Sequence, residues 1–118
     1  MAITINTQSK DFTEVEQYLM TLDRGIKSLK DVEDNTSIPV VGYLTFTDEK
    51  ENGDSVDILS IITPDNEVFS CQSATFKRSF DNIANIMHGK SFSIIKVSGT
   101  TKAGRPYIDC ALDVKSVK

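Results

Sequence analysis

Between residues 38 and 114 the hydrophobic pattern changes period once and then changes back, which restricts the chain to few folds. Residues 38–47, 55–63 and 67–72 are rich in β-branched and aromatic side chains and read as three strands. Phe76, Phe80, Ile83, Ala84 and Met87 then recur at three- and four-residue spacing, which predicts a helix over about 74–87 with one apolar face. Strand patterning returns at 91–98 and 106–114. Turn chemistry punctuates the order. Residues 48–54 form a charged hairpin loop in which Asn52-Gly53 supplies positive φ, and Pro64-Asp65-Asn66 is a short turn. Gly89 is expected to close the second helix as a left-handed cap. Upstream, Thr13-Glu-Val-Glu16 fits a capping box. A helix over 14–22 should follow, with Val15, Tyr18, Leu19 and Leu22 on one face and Arg24-Gly25 as its stop. Residues 26–37 are polar and read as an irregular connector that wraps the domain.

Three strands, a helix and two strands is the element order of the OB-fold, a five-stranded Greek-key barrel. The expected fold is mainly β with two helices: an OB-like barrel over 38–118, a helix between its third and fourth strands, and an N-terminal helical extension over 1–37. An α+β sandwich would use the same strands, because order alone does not set pairing. A length of 118 residues with 39% hydrophobic content suits one domain with a modest core. No run approaches the roughly 18 apolar residues of a membrane span. Met1-Ala-Ile-Thr-Ile-Asn lacks the basic start and apolar stretch of a leader, so a cytoplasmic protein is expected. Cys71 and Cys110 are too few and too far apart for a disulfide framework or a zinc site, and read as reduced thiols.

Charge is divided along the chain. Residues 1–67 carry 5 Lys+Arg against 14 Asp+Glu, and residues 68–118 carry 8 against 3, together the net −4. The basic half includes Gly99-Thr-Thr-Lys-Ala-Gly-Arg-Pro-Tyr107, where cations, glycines and an aromatic ring sit together. An acidic protein with one basic, aromatic-tipped edge can hold a polyanion there. Catalysis finds no such support. His88 falls at the end of the second helix, where a cation favours the macrodipole, and no nucleophile motif accompanies it. Asp109 and Asp113 share a face of the last strand, as solvent-facing alternation requires. No enzyme activity, metal or cofactor is expected.

Alternation sorts the binding candidates. Ile108, Cys110, Leu112 and Val114 point to one side of the last strand, and Tyr107, Asp109, Ala111 and Asp113 to the other. Tyr107 therefore leaves the core beside Arg105 and Lys102, offering a stacking platform flanked by phosphate-binding cations. If Val40, Leu44 and Phe46 are core, Tyr43 faces outward, and Gly42 is a bend that lets the strand curl. Phe69 and Cys71 read as core. Lys77 and Arg78 lie on the polar face of the second helix, and Lys96 interrupts an apolar run, so its side of the strand should meet water or a ligand.

Two segments carry a resemblance: Glu67-Val-Phe-Ser-Cys-Gln-Ser-Ala-Thr-Phe-Lys-Arg-Ser-Phe80 and Ser98-Gly-Thr-Thr-Lys-Ala-Gly-Arg-Pro-Tyr-Ile-Asp-Cys-Ala-Leu112. With Thr13-Glu-Val-Glu-Gln-Tyr-Leu-Met20 and Val32-Glu-Asp34, the chain resembles the small single-stranded DNA-binding proteins of bacteriophages of Gram-positive bacteria. The resemblance implies an OB-like, sequence-tolerant binder of single-stranded DNA in phage DNA replication, located in the host cell cytoplasm. Lys102, Arg105 and Tyr107 are the residues it transfers by position; Tyr43, Lys77, Arg78 and Lys96 complete the candidate nucleic-acid surface. The chain has no Trp, and its Val-Lys-Ser-Val-Lys118 end lacks the acidic tail of host-type single-strand binders. Self-association through free sheet edges, and a replication or host protein partner, stay open. The competing reading is a phage interaction module that inhibits a host enzyme through the acidic surface around 48–54.

Overall fold

The strand expected over 38–47 is built as two strands in two different sheets, and that division organises the molecule. The structure is a computed structural model and describes residues 2–88 and 90–116. Its elements are β1 (Ala2–Gln8), α1 (Glu14–Thr21), β2 (Lys27–Ser28), a 3-10 turn (Leu29–Asp31), β3 (Ser37–Val40), β4 (Gly42–Glu49), β5 (Ser55–Ile62), β6 (Val68–Cys71), α2 (Ala74–Met87), β7 (Phe92–Thr100), β8 (Pro106–Leu112) and a closing 3-10 turn (Val114–Ser116). The fold is mainly β, with open sheets. One sheet runs β1-β4-β5-β6-β2 and the other β3-β7-β8. No helix of the described residues is long and apolar enough to cross a membrane.

β3 and β4 are one line of chain bent at Val41. Before the bend, Ile38 pairs with Ile94 and Val40 with Phe92. After it, Gly42 pairs with Ile62 and Phe46 with Ile58. Gly42 serves the bend by close approach: a Cβ there would lie 2.8 Å from the Phe12 ring and 3.2 Å from Ile62.

The larger sheet is covered on both faces. On one, Leu59, Ile61, Phe69 and Cys71 pack with Phe76, Phe80 and Met87 of α2 and with Ile94 and Cys110 of the smaller sheet. On the other, Leu44, Phe46, Ile62 and Val68 pack with Phe12 and Met20. A strand buried on both faces loses the apolar-in, polar-out alternation. Tyr43 therefore does not face outward: it is half-buried, with its ring 4.9 Å from Phe80 in an edge-on arrangement.

α2 matches its expected span. Ser73 caps it by accepting the Phe76 N–H, and the left-handed residue at its end is His88, at φ 47°. Gly89, expected in that role, lies outside the described residues. α1 has the expected capping box, with Thr13 and Glu16 bonded reciprocally. Its packing differs from the reading. Met20 is fully buried and Leu19 is half-buried, whereas Val15, Tyr18 and Leu22 are exposed. So short a helix seats on one edge only, with Phe12 just before its cap completing the contact. Turn chemistry also narrows: in the 50–54 hairpin Gly53 alone takes positive φ, and Asn66 takes it in the turn before β6.

The N-terminal segment is more than helical. β1 pairs antiparallel with β4, and Ile3 and Ile5 rest on the second core. The connector also acquires structure. β2 pairs parallel with β6 through Lys27–Phe69 and Ser28–Ser70, and Leu29 is fully buried. That segment takes the edge of β6 that a closed barrel would pair with β8. Among the described residues no backbone ladder joins β6 to β8, and the two sheets stay separate.

Because the Phe12 ring occupies the space over Gly42, Gly42→Ala should destabilise the fold by about 1–3 kcal/mol through overpacking. Urea unfolding reads this as a lower midpoint with an unchanged slope. An unchanged midpoint would mean that the ring moves aside without cost.

Candidate functional site

Where β6 and β8 are not paired, a groove of about 700 Å³ opens at the surface. Ser70, Cys71, Gln72 and Ser73 line one side, Pro106, Tyr107 and Ile108 the other. Ser28 and Lys30 come from β2 and the turn after it, and Lys96 and Ser98 from β7. Ser73 spans one end: its hydroxyl donates to the Ile108 carbonyl at 3.3 Å while accepting the Phe76 N–H at 3.2 Å.

Tyr107 is 39% exposed at the rim. It pairs with Gly99 across the β7–β8 hairpin, and its ring lies over that glycine. A Cβ on residue 99 would sit 2.6 Å from the Tyr107 Oη and 2.7 Å from Cζ, so the ring takes this position only because the residue beneath is glycine. The adjoining 101–105 loop is closed on itself. Thr101 N–H donates to the Arg105 carbonyl at 2.9 Å, Arg105 N–H to the Thr101 Oγ1 at 3.1 Å, and Gly104 N–H to the Thr101 carbonyl at 2.9 Å. Gly104 carries positive φ there, and Lys102 and Arg105 are exposed.

Lys96 departs from the sequence expectation. It is buried, not solvated: its Nζ donates to the Val32 carbonyl at 2.7 Å and pairs with Asp34 Oδ1 at 3.2 Å. Asp34 Oδ2 also accepts the Ser98 hydroxyl at 2.5 Å. These bonds, Ser98 first and Lys96 next, hold the Asp34 carboxyl below its ordinary value. A buried ammonium needs this compensation, since a lone charge in that position is strongly disfavoured.

The remaining candidates sit elsewhere. Tyr43 lines a smaller cavity of about 270 Å³ with Lys10 and Lys90. Lys77 donates to the Asp57 carbonyl at 3.0 Å, and Arg78 is exposed on α2. Asp109 accepts the Cys110 N–H, and Asp113 accepts the Ser37 hydroxyl. The fold thus brings Lys96 and Tyr107 to one groove, with Arg105 next to its rim residue Pro106. Sequence reasoning missed Ser28, Lys30, Asp34, Gln72 and Ser98. For the first three the signal was Leu29, an apolar residue in a polar stretch that anchors the connector in the core.

No family model, curated protein or solved structure matches this chain.

Cys71, on the groove wall, and Cys110 are both buried free thiols. Burial pushes Cys71 from an ordinary 9.0 up to about 11 and Cys110 to about 12. Both are held neutral by the fold, so the stability they contribute is complete below the unfolded value and is lost as pH rises through the folded ones. Native protein near pH 8 should therefore label slowly with a thiol reagent, and both cysteines should label once it is unfolded. Rapid labelling of two thiols in the native state would contradict this burial.

Proposed function

We propose that this protein is a non-enzymatic, sequence-tolerant binder of single-stranded DNA acting in phage DNA replication, with an OB-like half-open barrel as its scaffold. The observation that carries the reading is the part-exposed Tyr107 ring, laid over Gly99 at the rim of an open groove rich in hydroxyl groups. A ring in that position stacks on any base, because every base has a π face. Ser28, Ser70, Ser73 and Ser98 suit the sugar–phosphate backbone, and Lys30, Lys102 and Arg105 add cationic contacts. The strand order is compatible with the OB-like scaffold. The bent β3–β4 line pairs with β7 and with β5, β5 pairs with β6, and β7 pairs with β8.

Fluorescence anisotropy with labelled oligothymidine and a matched duplex at two salt concentrations tests the reading. Single strand should bind tightly, duplex weakly, and affinity should fall as salt rises because bound phosphates release counterions. Tyr107→Ala should cost about 1–3 kcal/mol of binding. Gly99→Ala should reproduce much of that loss with little effect on folding, since the Tyr107 ring can swing into solvent. Arg105→Ala should flatten the salt slope by about 0.7. No single-strand binding at low salt would overturn the proposal and turn attention to the acidic surface around 48–54 as a protein-binding surface.

A further inference from the structure

Lys96 is the deepest cation at the groove, with 5% of its side chain exposed, yet its carboxylate partner Asp34 is 46% exposed. The carboxylate is thus the solvent-exposed partner of a buried ammonium. One Asp34 oxygen meets Lys96 and the other meets Ser98, and both of those residues line the groove. An ammonium and a hydroxyl converging on two oxygens of one anion is also an arrangement that holds two non-bridging oxygens of a phosphodiester. The Asp34 contacts to Lys96 and Ser98 are made by its side chain alone. The backbone beside it is held independently, by the Asn35 N–H donating to the Lys96 carbonyl at 2.8 Å and the Lys96 N–H to the Thr36 carbonyl at 3.2 Å. The Lys96 bond to the Val32 carbonyl does not involve the Asp34 side chain.

We infer that Lys96 and Ser98 form a phosphate subsite that the Asp34 carboxylate occupies in the free protein, and that a backbone phosphate of a single strand displaces Asp34 from it. This inference rests on the proposed single-strand binding and adds to it a built-in competitor. The exchange replaces one anion by another, so the buried ammonium is compensated in both states. Asp34 leaves for water, where its exposed position already places part of it.

The test is oligothymidine binding by Asp34→Asn beside the unaltered protein, with Asp31→Asn as control. Asp31 is an exposed carboxylate nearby that, among the described residues, bonds to neither Lys96 nor Ser98. Asparagine keeps the shape and an acceptor for Ser98 but removes the competing charge. Asp34→Asn should bind roughly fivefold tighter at low salt, the size of an exposed ion-pair contact. Its salt slope should match that of the unaltered protein, because the same phosphate occupies the subsite in both complexes. Equal gains in Asp31→Asn would reduce the effect to general field and overturn the inference. Binding by the unaltered protein with no gain in Asp34→Asn would overturn the inference alone. Absence of binding by all three would overturn both it and the functional reading.

A second measurement requires no substitution that disturbs Lys96. Carboxyl NMR of Asp34 in the unaltered protein should report a low titration midpoint when free and a return to the ordinary carboxylate range when saturated with oligothymidine. A midpoint that stays low in the saturated complex shows that Asp34 never left, and overturns the inference even if Asp34→Asn fails to fold.

Discussion

The Phe12 ring rests on Gly42 at the point where the chain leaves one sheet and enters the other. That contact joins the two halves of the fold. Phe12 belongs to the segment that leads into α1, Gly42 begins β4, and Ile62 of β5 closes the other side. Because the bend falls at Val41, the same line of chain pairs with β7 on one side and β5 on the other. Two sheets held by one shared strand enclose the α2 side of the core without closing into a cylinder. The opening left between β6 and β8 follows from this geometry and from β2, which occupies the β6 edge.

A buried lysine secures the remaining side. The connector has few apolar residues, but Leu29 enters the core and Val32 packs against it. Lys96 then ties the chain down from β7, through the Val32 carbonyl and Asp34. Charge pairs of this kind are weak sources of stability, yet removing one partner is costly because the other is left buried and alone. The connector's path rests on more than the pair: Leu29 and the β2–β6 pairing set where Ser28 and Lys30 meet the groove, and the Lys96–Val32 bond holds the segment that follows.

Much of the scaffold was legible in the sequence for local reasons. Helix α2 announces itself by its apolar stripe, and the strands by β-branched runs between turn residues. The last strand sorted correctly at Cys110 and Tyr107, because one of its faces meets solvent and alternation survives. Tyr43 and Lys96 were misread for the opposite reason. β4 is covered on both faces, and β7 is covered on the Lys96 side by the connector, so a polar side chain in an apolar run did not signal solvent. β1 and β2 depend on partners far along the chain, and no local period reveals such pairing. Of the groove, the Gly99–Tyr107 rim could be read from the hairpin; the Asp34–Lys96–Ser98 contact could not, since it needs the connector's path.

The groove's chemistry bears on what kind of recognition it can support. Most of its polar wall is hydroxyl and amide, from Ser28, Ser70, Gln72, Ser73 and Ser98. Such groups exchange water for a ligand oxygen without leaving a charge unpaired, so the cost of an imperfect fit is small. The one deeply placed cation already has its anion, Lys30 is exposed on the groove wall, and Lys102 and Arg105 stand outside on an exposed loop. A site built this way has few groups that demand a particular base edge. Its discrimination would come from shape, from whether an unpaired base can reach the Tyr107 face, and duplex DNA holds its bases away from such a surface. On the proposed reading, tolerance of sequence and preference for single strands then have one structural origin: a groove walled mainly by uncharged polar groups and left by an unpaired sheet edge, with its aromatic group at the rim.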